Sequence, residues 1–348
     1  MKKYTVYSNP VEFHNQILKD IESSKECIYL ETYIFDDDKL GDKYRDLLIR
    51  KAKEGVIVRV LFDSFGSSVS KKYFSELVKF GGEVRVFREL SHFFEILTNH
   101  ERDHRKLLLI DHKISYIGSA NISQSHYDWR ECVLRIEGFI TKSFEHYFVH
   151  NWDSYDRVNK NKIKYVLHKC YEIVDDFPSK FRSPSKRKYL VLINNAKNSI
   201  LIETAYFIPP KKIRRALYKA VKRGVDVKVV IPFVSDVWLV DYIRNLYLEK
   251  LYKKGIELFY YKPKIMHSKV MVVDDCFIIG SSNLTYRTFV YNYEINLFGK
   301  NKIIAYELKK HINETLRNSE PFVYEKWKKR SIFKKIAEKL LSIFERLT

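Results

Sequence analysis

Two short stretches of the chain carry the same reactive residue types at the same spacing. The first holds His104, Lys106 and Asp111, followed by Ser119, Asn121 and Glu131. The second holds His267, Lys269 and Asp274, followed by Ser281, Asn283 and Glu294. In both copies Lys follows His by two residues, Asp by seven and Glu by 27. A lone His-x-Lys is uninformative, but two copies with matched flanks are not an accident of surface or core composition. Residues i and i+2 of a strand project to the same side, so each His and its Lys are expected to point together. Two imidazoles and two ammonium groups facing one another suit a phosphate diester. The lysines neutralise its non-bridging oxygens, and Asn121 and Asn283 add hydrogen bonds. One imidazole attacks phosphorus and the other protonates the leaving oxygen. A carboxylate on the far ring nitrogen fixes each tautomer, a task that falls to Glu131 and Glu294. Asp111 and Asp274 belong to the expected catalytic set, Ser119 and Ser281 to its supporting residues. The nucleophile must start neutral and the acid charged, so their surroundings must differ; the sequence leaves open which is which. Nothing in the pattern calls for a metal or another cofactor.

The two stretches sit at equivalent points of a long internal repeat. SKECIYLETYIFDDDKLGDKYRDLLIRKAKEGVIVRVLFD in the first half parallels AKNSILIETAYFIPPKKIRRALYKAVKRGVDVKVVIP in the second. Each reads as strand, helix, glycine turn and strand. Strands are expected over Cys27–Phe35 and Ser199–Ile208 from their β-branched and aromatic content. Helices are expected over Leu40–Lys53 and Lys211–Arg223, ending at Gly55 and Gly224, with strands Val56–Phe62 and Val225–Ile231 after them. FGGEVRVF and KGIELFYY supply the next turn and strand. The apolar runs LLLI and VMVV behind the histidines read as strands buried on both faces. Strand–helix–strand units imply right-handed crossovers. The expected fold is α/β, with two pseudo-twofold-related domains, each a mostly parallel sheet flanked by helices. The expected division is 1–156, a helix and linker over 157–187, 188–325, and a basic amphipathic C-terminal helix over 326–348. Paired α/β domains tend to build a site at their junction.

Lys plus Arg number 63 against 43 Asp plus Glu, a formal charge of +20. Such a charge bears on partners rather than fold and suits nucleic acid, an anionic membrane or a phosphorylated substrate; a solvated Lys-rich surface is the plain alternative. The four cysteines lack zinc-ligand spacing and read as reduced thiols in a cytosolic setting. No signal-peptide core stands at the N-terminus, and no apolar run approaches the ~18 residues needed to span a bilayer, so membrane contact is expected to be peripheral. In the tail, Ile332, Phe333, Ile336, Ala337, Leu340, Ile343, Phe344 and Leu347 form one apolar face, with Lys334, Lys335, Lys339 and Arg346 off it. The face either packs on the core or lies on an anionic membrane. Ser91–Asn99 and Val237–Val240 are apolar segments suited to an acyl-chain entrance, a membrane-dipping edge or ordinary packing.

The paired HRKLLLID…GSANIS and HSKVMVVD…GSSNLT segments resemble the two catalytic motifs of the phospholipase D superfamily. That resemblance implies a two-step reaction through a phosphohistidine, with His104 as nucleophile and His267 as general acid by motif position. ETYIFDDDKLG, DSFGS, HYDWRECVLRIEG, ETAYFIPP and NLTYRTFVYNYEINL resemble segments of bacterial cardiolipin synthases, over roughly residues 20–140 and 195–300. Glu131 stands where an Asp is common in that group, which keeps the role with a longer reach. Many cardiolipin synthases begin with two membrane-spanning segments; this chain is similar to the shorter members without them. The resemblance implies transfer of a phosphatidyl group between two phosphatidylglycerols, releasing glycerol, at the cytoplasmic face of the membrane. A hydrolytic phospholipase D and a nuclease of the same superfamily use the same chemistry and stay as alternatives, with nucleic acid the less favoured partner because no DNA-reading motif is present. A non-catalytic adaptor would not need both motifs intact. The sequence does not determine the oligomeric state.

Overall fold

The β-branched and aromatic segments form the strands, and their Gly-terminated successors form the helices, much as the pattern predicts. The computed structural model describes residues 3–88, 101–155, 167–168 and 170–347. In the first half these are β1 (Tyr4–Tyr7), α1 (Pro10–Glu22), β2 (Cys27–Thr32), α2 (Lys39–Lys53), β3 (Ile57–Asp63), α3 (Ser75–Lys79), β4 (Glu83–Phe87), β5 (Arg102–Asp103), β6 (Leu107–Ile110), β7 (Ile114–Gly118), β8 (Val133–Glu137) and α4 (Ile140–Ser154). The rest comprises β9 (Leu167–His168), β10 (Tyr171–Asp176), α5 (Pro184–Asn195), β11 (Ser199–Thr204), α6 (Lys211–Lys222), β12 (Asp226–Pro232), α7 (Trp238–Tyr252), β13 (Glu257–Tyr261), β14 (Lys269–Val273), β15 (Cys276–Gly280), α8 (Tyr286–Val290), β16 (Asn292–Lys300), α9 (Lys302–Arg317), β17 (Ser319–Pro321), α10 (Tyr324–Lys328) and α11 (Ile332–Leu341). Asp38 caps α2 by accepting the Leu40 and Gly41 amides, both at 2.9 Å, and the chain leaves that helix through Gly55 at φ +87°, a left-handed exit that glycine makes without strain.

Both sheets are mixed, not mostly parallel as the crossover pattern suggested. The first runs β1-β8-β7-β6-β2-β3-β4 and the second β17-β13-β12-β11-β14-β15-β16-β10-β9. Within these two orders β2–β3–β4 and β11–β12–β13 run parallel and the other neighbours antiparallel. The motif strands form hairpins, β6–β7 and β14–β15, whose short turns force antiparallel pairing, and each then lies antiparallel to β2 or β11. The α/β class and the helix-flanked pair of sheets are as expected.

The stretch read as helix and linker also differs. β10 lies in it and pairs antiparallel with β16 along six residues, as β1 pairs with β8. The second sheet therefore begins before residue 188, and in each half an outer strand and a helix, β1 with α1 and β10 with α5, come before the first parallel strand. The expected helix near residue 157 and the Ser91–Asn99 segment lie outside the described residues.

Alternation along the motif strands accounts for how the sheets meet. Leu107 and Leu109 join Val270, Val272, Ile279, Leu297 and residues of α4 and α9 in one core that spans both sheets. Leu108 and Ile110 face the opposite way, into the outer layer of the first half. The doubly buried strands expected from LLLI and VMVV are present.

The tail is not one helix over 326–348. Ser331 separates α10 from α11 and caps the latter, its Oγ accepting the Lys334 amide at 3.3 Å. The buried contacts of α11 are unexpected: Glu338, 0 % exposed, takes the Arg330 guanidinium at 2.8 Å and the Asn245 amide at 2.9 Å. Leu341 reaches the small cluster of Ile208, Val240 and Ile243. The apolar face points to solvent, with Phe333 80 %, Leu340 66 % and Ile343 76 % exposed. The described side chains end at Glu345, so Arg346 and Leu347 are not placed on either face.

Candidate active site

Each histidine is held by backbone of the opposite half. β5 pairs in parallel with the start of β16, and the His104 amide donates to the Tyr293 carbonyl at 3.0 Å. On the other side the Arg130 amide donates to the Ile265 carbonyl, and the His267 amide to the Arg130 carbonyl, both at 2.8 Å. Tyr293 and Arg130 directly precede Glu294 and Glu131. The carboxylates are therefore delivered across the junction. His104 Nδ1 lies 3.1 Å from both Glu294 oxygens, and His267 Nδ1 lies 2.8 Å from Glu131 Oε1. The sequence indicated one glutamate for each histidine; the structure adds that the pairs are crossed.

Lys106 and Lys269 are buried beside their histidines, each Nζ donating to its own histidine's carbonyl at 2.9 and 2.7 Å. Burial lowers Lys106 to about 7, helped by the Lys269 charge, and burial lowers Lys269 to about 8 against the pull of Glu131. These are cations short of counter-charge, as a phosphate site requires.

The two pairs are electrostatically unequal. Burial, then Lys106 and Lys269, pushes His104 well below the ordinary histidine range. Its partner Glu294 is pushed up to about 8, chiefly by burial, and receives the Asn292 amide at 3.0 Å. Burial also opposes ionisation of Glu131, but His267, Lys269 and the Ser119 hydroxyl outweigh it and hold that carboxyl at about 2. One pair favours a neutral imidazole; the other offers a fixed anion.

The remaining expected residues divide. Ser119 supports Glu131 directly, and its Oγ also accepts the Cys132 amide at 3.0 Å. Ser281 Oγ accepts the Ile295 amide at 3.0 Å. Both serines depend on the preceding glycines: a Cβ on Gly118 or Gly280 would fall 2.2 Å from the Cys132 carbonyl or 2.3 Å from that of Ile295. Asn283 accepts the Tyr206 amide at 3.3 Å and lines the cavity at His104. Asn121 is buried close to Lys106, and its Oδ1 has no hydrogen-bond partner among the described residues.

Asp111 and Asp274 are placed elsewhere, which corrects their expected membership of the catalytic cluster. Seven residues of extended chain span roughly 23 Å, so each Asp lies at the far end of its strand. Asp111 accepts the amides of Lys25, Glu26 and Cys27 at 2.9, 2.8 and 3.0 Å. Asp274 does the same for Lys197, Asn198 and Ser199 at 2.9, 3.0 and 3.0 Å. They tie each hairpin turn to the start of the neighbouring strand.

Several residues at the site were not singled out from the sequence. The Tyr33 ring packs edge-on to His104 at 5.0 Å with the Lys106 ammonium 5.2 Å from its centre. Trp129 packs against His267 at 5.4 Å and stacks on His126 at 3.7 Å. Arg102 and Arg287 line a cavity of about 380 Å³ that reaches His104. The repeated Glu-Thr dipeptides ahead of Tyr33 and Tyr206 were a usable signal for the tyrosines; the arginines occur in one half only and had none.

The family model described as cardiolipin synthase, PLD-like domain matches residues 17–152 and 189–316. The major cardiolipin synthase of Bacillus subtilis is 34% identical over 342 residues, 93% of this chain and 70% of that protein. A cardiolipin synthase of Clostridium perfringens is 29% identical over 97% of this chain and 75% of its own length. Among solved structures, the phosphatidylserine synthase of Haemophilus influenzae superposes with a TM-score of 0.76 over 99% of this chain and 93% of that one. At 13% identity this is a likeness of fold.

Proposed function

The chain belongs to the cardiolipin synthase family of phospholipase D-like enzymes, and on that premise we propose that it transfers a phosphatidyl group from one phosphatidylglycerol to another through a phosphohistidine. It is a phosphatidyltransferase with phospholipid substrates; the lipid pair, the covalent route and the residue roles are the proposed part. The observation that carries the role assignment is the inequality of the two crossed pairs. His104, disfavoured from charging by burial and two lysines, is the nucleophile. His267, facing the ionised Glu131, is the acid.

In the first step His104 Nε2 forms a bond to phosphorus as the bond to the headgroup oxygen breaks, and His267 gives its Nε2 proton to the departing glycerol. Lys106 and Lys269 neutralise the non-bridging oxygens, whose charge grows in the transition state. In the second step the now neutral His267 takes the proton from the primary hydroxyl of a second phosphatidylglycerol. That oxygen bonds to phosphorus, the P–N bond breaks, and His104 is restored. The sum is two phosphatidylglycerols to cardiolipin plus glycerol. Water in place of the second lipid gives phosphatidic acid.

The same reading puts the enzyme peripherally on the anionic cytoplasmic face of the membrane. Among the described residues no helix is long and apolar enough to cross a bilayer. The exposed apolar face of α11 adjoins α7, whose first residue, Trp238, is 64 % exposed, and Val237, Leu239 and Val240 line the cavity at His104. The tail thus offers apolar surface next to the mouth of the site, flanked by Lys334, Lys335 and Lys339, as an interfacial helix does.

Product analysis tests the reading. Purified protein is given phosphatidylglycerol vesicles, and the lipids are identified by mass. Cardiolipin with an equal amount of glycerol is expected, and H104A and H267A abolish both. Phosphatidic acid alone assigns a hydrolase; inert lipid with a cleaved oligonucleotide assigns a nuclease. An adduct trapped on any residue other than His104 or His267 refutes the covalent route.

A further inference from the structure

The strand pair that presents His104 separates two cavities. Arg102 and Asp103 of β5 pair with Asn292 and Tyr293 of β16, and successive residues of such a pair face opposite ways. Arg102, His104 and Asn292 line the catalytic cavity. Asp103, Arg105 and Tyr293 line the other, of about 1000 Å³, at the upper end of the roughly 300–1,000 Å³ usual for ligand sites. The matching residues of the second motif, Met266 and Ser268, are packed instead: Met266 lies in the core, and Ser268 Oγ is 3.5 Å from His311 Nε2 of α9. A cavity at this place is thus not imposed by the repeat. Phe87, Tyr155, Phe177 and Leu190 give it apolar lining, and Lys180, Arg182, Lys186, Arg187 and Lys212 give it cations. Among the described residues no carboxylate forms an ion pair with any of these five side chains. The acids of the lining are Asp103 and Asp175, and the Arg105 guanidinium already engages both, at 3.2 and 2.6 Å. Burial, and then the Lys212 charge, holds Lys186 below the ordinary lysine range against the pull of Asp176. His150 of α4 lines the same cavity, and both its ring nitrogens are buried without a hydrogen-bond partner among the described residues. At the rim Ser179 Oγ accepts the Phe181 and Arg182 amides at 3.3 and 3.0 Å, and the Phe181 ring is 95 % exposed.

We propose that this second cavity binds an anionic phospholipid, apart from the lipids that react. The cations at its rim take the phosphate, as arginine forks and lysine point charges both do. The His150 imidazole supplies a further hydrogen bond, and the aromatic and aliphatic wall takes the start of an acyl chain out of water. Each part of the lining thus has a counterpart in one molecule. A free phosphate would leave the apolar wall wet, and a lipid without net charge would leave Lys186 and Lys212 crowded. The bound lipid sits directly behind His104, on the far side of the β5–β16 wall, in contact with Asp103 and Arg105. The proposal goes beyond the transfer described above and does not depend on which two lipids react.

The test reads binding without turnover. Full-length H104A, and the same protein carrying K186Q and K212Q, are titrated by calorimetry with dihexanoylphosphatidylglycerol below its micelle concentration. H104A is expected to bind one equivalent more than the protein with K186Q and K212Q, in which that site weakens about tenfold or more through lost charge-assisted contacts. Equal stoichiometry and affinity in the two proteins overturns the site. Dihexanoylphosphatidylcholine, whose headgroup cancels the phosphate charge, is expected to leave the extra equivalent unfilled; filling it equally well overturns the choice of an anionic lipid. Inorganic phosphate that fills it as tightly as the lipid overturns the lipid in favour of a free phosphate compound, and an oligonucleotide that displaces the lipid from it overturns the lipid in favour of nucleic acid. Cardiolipin formation enters none of these measurements, so a failure of the transfer reading shows separately, in product analysis. A second readout does not rely on the lysine variants: phosphatidylglycerol carrying a diazirine near the start of an acyl chain is expected to label H104A within residues 177–190, and the absence of label there overturns the proposal.

Discussion

Replacing Glu131 with Gln removes the anion that faces His267 while keeping its shape. The carboxylate lies 2.8 Å from His267 Nδ1 and stays ionised down to about 2, because His267, Lys269 and the Ser119 hydroxyl outweigh the effect of burial. Opposite charges about 4 Å apart interact by about 4 kcal/mol at an effective dielectric of 20. If the imidazolium must be present for the leaving group to depart, that amounts to about a thousandfold in rate. The matching change at Glu294 differs in size. Burial already raises that carboxyl to about 8, so near neutral pH it is uncharged and Gln replaces it with a loss of about tenfold or less. The pH dependence follows in sign. Wild type gives up the Glu294 proton as pH rises through about 8, which leaves a carboxylate to accept from His104 Nδ1–H and frees Nε2 to attack. The Lys106 and Lys269 charges fade over the same range in both proteins, so it is the ratio of the wild-type rate to the E294Q rate that climbs toward pH 8. The assay is single-turnover glycerol release from phosphatidylglycerol in mixed micelles between pH 6 and 9. Equal losses in E131Q and E294Q, or a larger loss in E294Q, would falsify the assignment of nucleophile and acid.

Asp274→Asn is expected to lower the melting temperature while leaving turnover per folded molecule within about threefold. Burial raises the Asp274 pKa, but the three backbone amides together outweigh it and hold it below the usual value. Its stabilisation is therefore present above the unfolded pKa and is lost as pH falls through the lower folded one; lost turnover at unchanged melting temperature would return Asp274 to the chemistry. On the tail, Phe333→Ser with Leu340→Ser removes exposed apolar surface without touching Glu338, so the fold is kept. Binding to anionic liposomes should weaken about tenfold or more, given about 1.5–3 kcal/mol for a fully buried side chain, while turnover of detergent-dispersed lipid is unchanged. Undiminished liposome binding would remove α11 from the membrane surface.

Residue spacing alone identified much of this protein. His104 with Lys106 and His267 with Lys269 could be read from period-two projection, and the α/β class from helix-then-strand units ending at Gly55 and Gly224. Local rules suffice where the relevant neighbours lie two to four residues away. They misled at Asp111 and Asp274, where a shared motif looked like a shared site although an extended strand carries residue i+7 to its other end. They also misled in strand direction, because adjacency in a hairpin overrides a βαβ reading of the preceding units, and in the tail, where an apolar face was visible but not the buried Glu338–Arg330 pair that turns it outward. The pairing of Glu294 with His104 and of Glu131 with His267, the inequality of the two pairs, and the joining of Arg102 to Arg287 came only from the tertiary structure. The crossed pairs join residues 190 and 136 positions apart and their inequality depends on how deeply a charge is buried; neither long-range contact nor desolvation is written into local spacing.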